Sequence, residues 1–302
     1  MQLGYVTAIL PDWTLEQNMQ FAAQNGFDSL EVMCWPVGKA ERRYAGVTHI
    51  DASNFTQADA ERVKSLMSQY NVGISSLGYY PNPLTSIPEE RQTYIDHIKK
   101  VIAASAMIGI NVMTTFVGRD PAKAIEDQWG DFEAVWKPII AFAESQGVRV
   151  GIENCPMLFS LDEWPGGKNL AISPDVWRRM FDSIPSQNWG LNFDPSHLIW
   201  QHIDYLRCIR EFSYRFIHVH AKDTKIDPDR LYERGIMGLK WHDPKLPGLG
   251  DVDWSAFFNT LREVGYDGPV AIEVEDRAFE SSQADIEHSI LLSRDHLKQF
   301  MS

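Results

Sequence analysis

The sequence predicts an α/β fold: a (β/α)8 TIM barrel built by one domain, residues 1–302, with extended loops at the C-terminal face of its strands. Three observations lead there. Eight short apolar, β-rich runs alternate with segments of helical spacing along the whole chain. No Pro-, Ser- or Gly-rich linker divides that alternation. The first strand runs into Leu10-Pro11-Asp12-Trp13, without the glycine-rich phosphate turn that a doubly wound sheet carries at this place.

The strands are expected at residues 3–9, 29–35, 72–80, 112–117, 149–155, 190–195, 215–221 and 269–275. Each is a run of mostly apolar residues, as in parallel strands covered on both faces. Helical spacing of apolar residues marks 14–24, 56–70, 88–107, 132–146, 174–183, 254–264 and 283–300. Gly26 and Gly147 follow two of these segments, where a helix commonly ends on a left-handed residue.

Composition narrows the function. With 41 Asp plus Glu against 28 Lys plus Arg, the formal net charge is −13, which disfavours a binder of nucleic-acid phosphates. Cys34, Cys155 and Cys208 are odd in number and form no CxxC pair, so neither a disulfide framework nor a cysteine zinc site is expected. The N-terminus lacks a basic flank and a long apolar run, and no stretch approaches the roughly 18 apolar residues of a membrane span. A cytoplasmic protein with no membrane partner is expected.

In such a barrel the C-terminal strand ends carry the chemistry. Four successive ends in the second half read Gly151-Ile152-Glu153, Asn192-Phe193-Asp194, His218-Val219-His220 and Ala271-Ile272-Glu273. Each polar residue closes an apolar strand at a nearly equivalent depth, so all four can point inward to one place. Three uncompensated carboxylates repel one another, and a divalent cation resolves the conflict. Three oxygen ligands and one imidazole suit Mn²⁺, Mg²⁺, Co²⁺ or Fe²⁺, with Zn²⁺ more often taking further nitrogen or sulfur ligands. One carboxylate at a strand end is ordinarily a cap or a surface group; four in order are not explained that way.

These segments, with Asp194-Pro195-Ser196-His197, His220-Ala221-Lys222-Asp223 and the Pro247-Gly248-Leu249-Gly250-Asp251-Val252-Asp253-Trp254 loop, resemble the xylose isomerase-like TIM-barrel superfamily. That superfamily holds ketose 3-epimerases, inosose isomerases and dehydratases, hydroxypyruvate isomerases and endonuclease IV. The resemblance implies that Glu153, Asp194, His220 and Glu273 bind one divalent metal, Mn²⁺ foremost, and that Glu153 and Glu273 act as acid and base on opposite faces of a sugar. It implies a substrate contact for His197, and related barrels form homodimers or homotetramers. Lys222 shares the inward parity of His220, while Asp223 either orients a ligand histidine or anchors the loop that follows. His218, one layer deeper, is expected to pack inside the barrel.

Trp35, Tyr79, Tyr80 and Phe116 end strands two to four, and Trp13 and Trp241 lie in top-face loops, so Trp35, Tyr79, Phe116 and Trp241 are candidates for a sugar platform. Without a phosphate cradle at the mouth, an unphosphorylated keto sugar or cyclic polyol is expected. The long segment 224–252 is expected to fold over the site, and 42–51, with Arg42-Arg43, to form another wall. Ketose 3-epimerases usually carry an arginine soon after the strand-seven histidine and a glutamate soon after the strand-five one. Here those places read Thr224-Lys225-Ile226 and Met157-Leu158-Phe159-Ser160, closer to the inosose branch. Sugar isomerase or epimerase through an enediolate is therefore the leading expectation, and an inosose or 3-keto-sugar lyase the alternative. An endonuclease needs extra strand-end histidines, which Tyr79, Tyr80 and Phe116 replace.

Overall fold

The computed structural model describes residues 1–38, 45–158 and 167–301. In chain order the elements are β1 (Gln2–Val6), α1 (Leu15–Gln24), β2 (Ser29–Met33), α2 (Gln57–Tyr70), β3 (Gly73–Gly78), α3 (Pro88–Ile108), β4 (Val112–Thr115), α4 (Trp129–Ser145), β5 (Arg149–Glu153) and α5 (Pro174–Ser183). There follow β6 (Trp189–Phe193), α6 (Ser196–Trp200), α7 (Tyr205–Phe212), β7 (Phe216–Ala221), β8 (Asp223–Ile226), α8 (Pro228–Arg234), β9 (His242–Lys245), α9 (Trp254–Glu263), β10 (Pro269–Ile272) and α10 (Gln283–Met301). Eight strands pair in parallel and close in the order β1-β10-β7-β6-β5-β4-β3-β2, which is the (β/α)8 barrel the alternation predicts.

Local chemistry sets the helix starts. Thr14 and Thr56 each accept from the backbone three residues on, while Gln17 and Asp59 reach back to them, closing two capping boxes. Between the helices and the barrel lies a continuous apolar layer containing Trp136, Trp177, Trp189 and Phe193, all fully buried. Among the described residues no helix is long and apolar enough to cross a membrane.

Three features depart from the expectation. The strands are shorter than the apolar runs, because the chain bends away at the rim. Two helices, α6 and α7, stand between β6 and β7, where none was assigned. The long segment after β7 is partly regular: β8 and β9 form an antiparallel ribbon, Asp223 facing Lys245 and Ile226 facing His242, around the short α8. Arg42-Arg43 and Phe159-Ser160 lie outside the described residues.

Candidate metal centre

The ends of β5, β6, β7 and β10 converge. One ligand atom from each of Glu153, Asp194, His220 and Glu273 lies within 4.8 Å of every other. His220 Nδ1 stands 3.2 Å from Glu273 Oε2 and 3.9 Å from Glu153 Oε1. The four are not level in the sheet. Glu153 pairs with Asn192 rather than Asp194, and His220 with Ala271 rather than Glu273. Strand tilt makes the register climb around a barrel, so residues that meet at its axis are staggered along their strands.

Each group is held by its own neighbours. Asp194 donates its N–H to Asn154 Oδ1 at 2.8 Å and accepts from Asn154 Nδ2 at 2.9 Å, and its Oδ1 accepts the Ser196 N–H at 2.8 Å. Asn169 Nδ2 donates to the carbonyls of Glu153 and Cys155 at 2.9 and 2.7 Å, fixing the end of β5. His220 donates from Nε2 to Glu31 Oε2 at 2.7 Å, which turns Nδ1 toward the centre. Thr114 and Tyr80 donate to the other oxygen of Glu31. Burial opposes the charge on Glu31, but His220, His218 and Tyr80 bring it down to about 2.

What remains is a set of buried polar atoms without a hydrogen-bond partner: Asp194 Oδ2, His220 Nδ1, Glu273 Oε2 and His197 Nε2. Three belong to the converging quartet. Orphaned buried polar atoms are costly, and a divalent cation satisfies two carboxylate oxygens and an imidazole nitrogen together. The donor set therefore fits the metal that the strand ends imply.

The electrostatics are asymmetric. Burial works against the ionised form of Glu153, yet His197, His220 and Lys222 hold its carboxyl well below the usual range. Glu273 is pushed up, by burial first and by Glu153, despite Lys222 and His220. Lys222 is buried with its ammonium 2.6 Å from Glu275 and 3.4 Å from Glu273. His197 Nε2 stands 3.2 Å from Asp194 Oδ2 and 3.3 Å from Glu153 Oε1.

A cavity of about 1080 Å³ opens over these groups, lined by Glu153, His197, His220, Lys222 and Glu273 and, of the aromatic candidates, by Trp35, Phe116 and Trp241. Its apolar wall comes from β1 to β4 and their loops: Val6, Ala8, Met33, Tyr80 and Phe116 pack together there with Met157. Two predicted contacts are placed elsewhere. Tyr79 points outward, its ring 4.9 Å from Trp35 and 4.6 Å from His97 on α3; the inward position belongs to Tyr80. Asp223 does not line the cavity. Its carboxylate accepts from the backbone of Thr224, Gly248 and Val252 and from Trp254 Nε1, at 2.9–3.0 Å. A side chain at Gly250 would collide with it: an added Cβ there would lie 2.1 Å from Asp223 Oδ1. Asp223 is thus the anchor of the Pro-Gly loop. His218 packs inside the barrel, 3.0 Å from both Asn192 and Ser75.

Glu31 and Glu275 were missed in the sequence. Glu31 carries a signal, a charge inside an apolar strand at an inward parity shared with Met33 and Trp35. An arginine does reach the cavity, but from α8: Arg230, engaged by Asp227 and Asp243.

Comparison with known proteins agrees with this architecture. The chain is 29% identical over 271 residues to an inosose dehydratase of Clostridium perfringens, covering 87% of each chain. It superposes with a TM-score of 0.72 on D-psicose 3-epimerase with D-tagatose from Clostridium cellulolyticum H10, at 14% identity and 100% coverage of both chains. The IolI protein with a binding zinc atom gives the same TM-score, 0.72, at 14% identity and 100% coverage of both. Residues 19–298 match the family model of the xylose isomerase-like TIM barrel, and the chain belongs to that family.

Proposed function

We propose that the chain is a divalent-metal-dependent enzyme that moves a proton next to the carbonyl of an unphosphorylated keto sugar or cyclic polyol, as an isomerase or epimerase. The observation that carries this reading is the pair Glu153 and Glu273. They end β5 and β10, the two strands that flank β6 and β7, so they reach the Asp194–His220 centre from its two sides. A carboxylate on each side of a substrate carbon is what proton removal from one face and return from the other require. Proton removal by one and return by the other inverts a carbon; return to the neighbouring carbon exchanges ketose and aldose.

Glu153, Asp194, His220 and Glu273 would hold the metal, Mn²⁺ best matching three carboxylates and one imidazole. When bound, the cation supplies the positive charge that stabilises enediolate oxygens. Lys222 and His197 add donors at the rim of the same centre for further substrate oxygens. The D-psicose 3-epimerase likeness supports an epimerase, and the zinc of the IolI structure supports a metal. A second reading, a lyase that expels a β-leaving group after the same proton removal, is supported by the inosose dehydratase relative.

The test is NMR of a keto-sugar and inosose panel in D₂O with Mn²⁺. Deuterium should enter at the α-carbon, and product identity then separates epimerase, isomerase and lyase. Glu153→Gln and Glu273→Gln should each slow that exchange by about 10²–10⁴-fold. Exchange that persists in both variants, or in metal-stripped protein, would overturn the proposal.

A further inference from the structure

The cavity over the quartet is larger than a single sugar ring requires. At about 1080 Å³ it slightly exceeds the roughly 300–1000 Å³ of sites that enclose drug-sized ligands. Its loop-built wall differs in chemistry from its strand-built floor. Trp200 and His202 come from the end of α6 and the turn after it; His242 opens the ribbon strand β9 and Trp241 immediately precedes it. The rings of Trp200 and His242 stack in parallel at 4.8 Å and 6°, and those of His202 and Trp241 at 6.1 Å and 9°. Trp200 and Trp241 meet nearly edge to face, at 6.4 Å and 78°. Four rings from two separate elements thus form an aromatic corner, held by mutual stacking and by the Trp241 Nε1–H donating to the Gly238 carbonyl at 2.9 Å.

The backbone beneath that corner is unusual. Outside glycine, the described residues with positive φ are Asn71, Met157, His202 and Lys240. Asn71 caps a helix, whereas Met157, His202 and Lys240 all line this cavity, and the last two carry or precede corner rings. Left-handed non-glycine residues cost about 1–2 kcal/mol each and gather at ligand sites. The corner is also close to the chemistry. Trp200 stands three residues after His197 on α6, so their side chains are neighbours, with about 5–6 Å between Cβ atoms, and His197 itself is 3.3 Å from Glu153.

Three of the cationic side chains on its wall are engaged by carboxylates, with Lys240 and Arg277 as further cations there. Arg230 is engaged by Asp227 and Asp243, Lys245 lies 3.2 Å from Asp276, and Lys222 is held by Glu273 and Glu275. His242 is kept down to about 4, chiefly by burial, so it adds no charge near neutral pH. The wall therefore offers aromatic faces beside largely paired charges, a surface on which a ring stacks.

We propose that Trp200, His202, Trp241 and His242 form a second subsite that stacks a ring-bearing substituent of the sugar held over the quartet, so that the substrate class is a glycoside whose sugar ring carries a ketone away from the anomeric carbon, rather than a free monosaccharide. The inference rests on the sugar reading above and names its substrate more closely. Its test is independent of turnover. Methyl β-D-glucopyranoside, phenyl β-D-glucopyranoside and methyl β-cellobioside carry no free carbonyl and bind without reacting. Titration into the Mn²⁺-loaded protein, followed by tryptophan fluorescence and calorimetry, should show the two ring-bearing probes binding up to about tenfold tighter than the methyl glucoside, the gain expected of one aromatic contact. Trp200→Ala should bring the three probes to one common affinity, and Trp200→Phe should keep most of the difference. Stabilisation of Trp200→Ala by Mn²⁺ reports that the variant is folded. Equal affinities in the wild type, no binding of either ring-bearing probe, or a Trp200→Ala difference equal to the wild type would each overturn the subsite. Absence of α-proton exchange both across the keto-sugar panel and with a glucoside oxidised to a ring ketone would instead overturn the activity, leaving these affinities readable.

Discussion

Glu31 holds His220 from across the barrel, Oε2 to Nε2 at 2.7 Å, although the two are 189 positions apart in the chain. The carboxylate is itself fixed by Thr114 and Tyr80, so it sets both the tautomer and the direction of the histidine whose other nitrogen meets the quartet. Glu31→Ala should weaken Mn²⁺ or Co²⁺ binding by about 10–100-fold, the usual effect of removing the partner of a ligating histidine. Calorimetric titration of the metal-stripped variant measures it. An unchanged affinity would mean that His220 does not ligate through Nδ1.

Metal should also report on stability. A ligand present at 100 times its Kd and absent from the unfolded chain stabilises by about 2.7 kcal/mol. For a chain of this size that raises the thermal midpoint by about 5 °C. Asp194→Asn should lose most of this rise, because the orphaned Oδ2 becomes an uncharged, weaker donor. Differential scanning calorimetry with and without Mn²⁺ reads both.

Lys222 lowers the carboxyl of Glu273, against the burial that raises it. Lys222→Met removes that opposing effect, so Glu273 should take up a proton at higher pH. Metal ligands must be deprotonated, and Mn²⁺ affinity should therefore fall more steeply on acidification in the variant, by about an extra factor of ten between pH 7 and pH 5. Parallel titrations at the two pH values test the sign directly; an equal loss in both proteins would contradict it.

Asp223 stabilises the cover of the site rather than its floor. Asp223→Ala strands three backbone N–H groups and the Trp254 indole, all but the Gly248 N–H buried. At about 1–3 kcal/mol for an unsatisfied group, a loss of about 3–5 kcal/mol is expected in urea unfolding. Limited proteolysis should cut the variant first within 224–252.

His49 gives the acid side of the stability curve. Its Nε2 lies 3.2 Å from the Leu10 carbonyl, and burial pushes the imidazole down to about 4. The unfolded chain takes up a proton near pH 6.5, whereas the native one does so only near 4. Stability is thus full above about 6.5 and falls as pH drops toward 4, by up to about 1.4 kcal/mol per pH unit. His49→Gln should flatten this slope in metal-free protein, measured by urea unfolding at several pH values between the two limits.

The barrel was legible because each strand of a covered parallel sheet is a run of apolar residues, and the convergence of Glu153, Asp194, His220 and Glu273 because each interrupts such a run at its end. What stayed hidden depends on other signals. The five residues of α6 are too few to show a helical period. Tyr205, Cys208, Ile209 and Phe212 do show one, after an Asp204 cap, so α7 carries a readable helical signal. Tyr79 was preferred to Tyr80 for want of counting parity through Ser76 and Gly78. The bond from Glu31 to His220 joins distant strands, and no local pattern announces such a partner. Asp223 was ambiguous because only the folded Pro-Gly loop reveals how many donors surround it.

The tether at Asp223 stands apart from the quartet, and this separation has a consequence for how the protein can change. The ribbon and its Pro-Gly loop are fastened to their own post by Asp223, Asp251 and Trp254, while the converging quartet is fastened by Asn154, Asn169 and Glu31. A roof with private foundations can be exchanged, lengthened or re-lined without disturbing the hearth beneath it. In such a barrel, new substrates are reached by renovation of the upper storey, and grafting residues 224–252 between relatives is the natural unit of redesign.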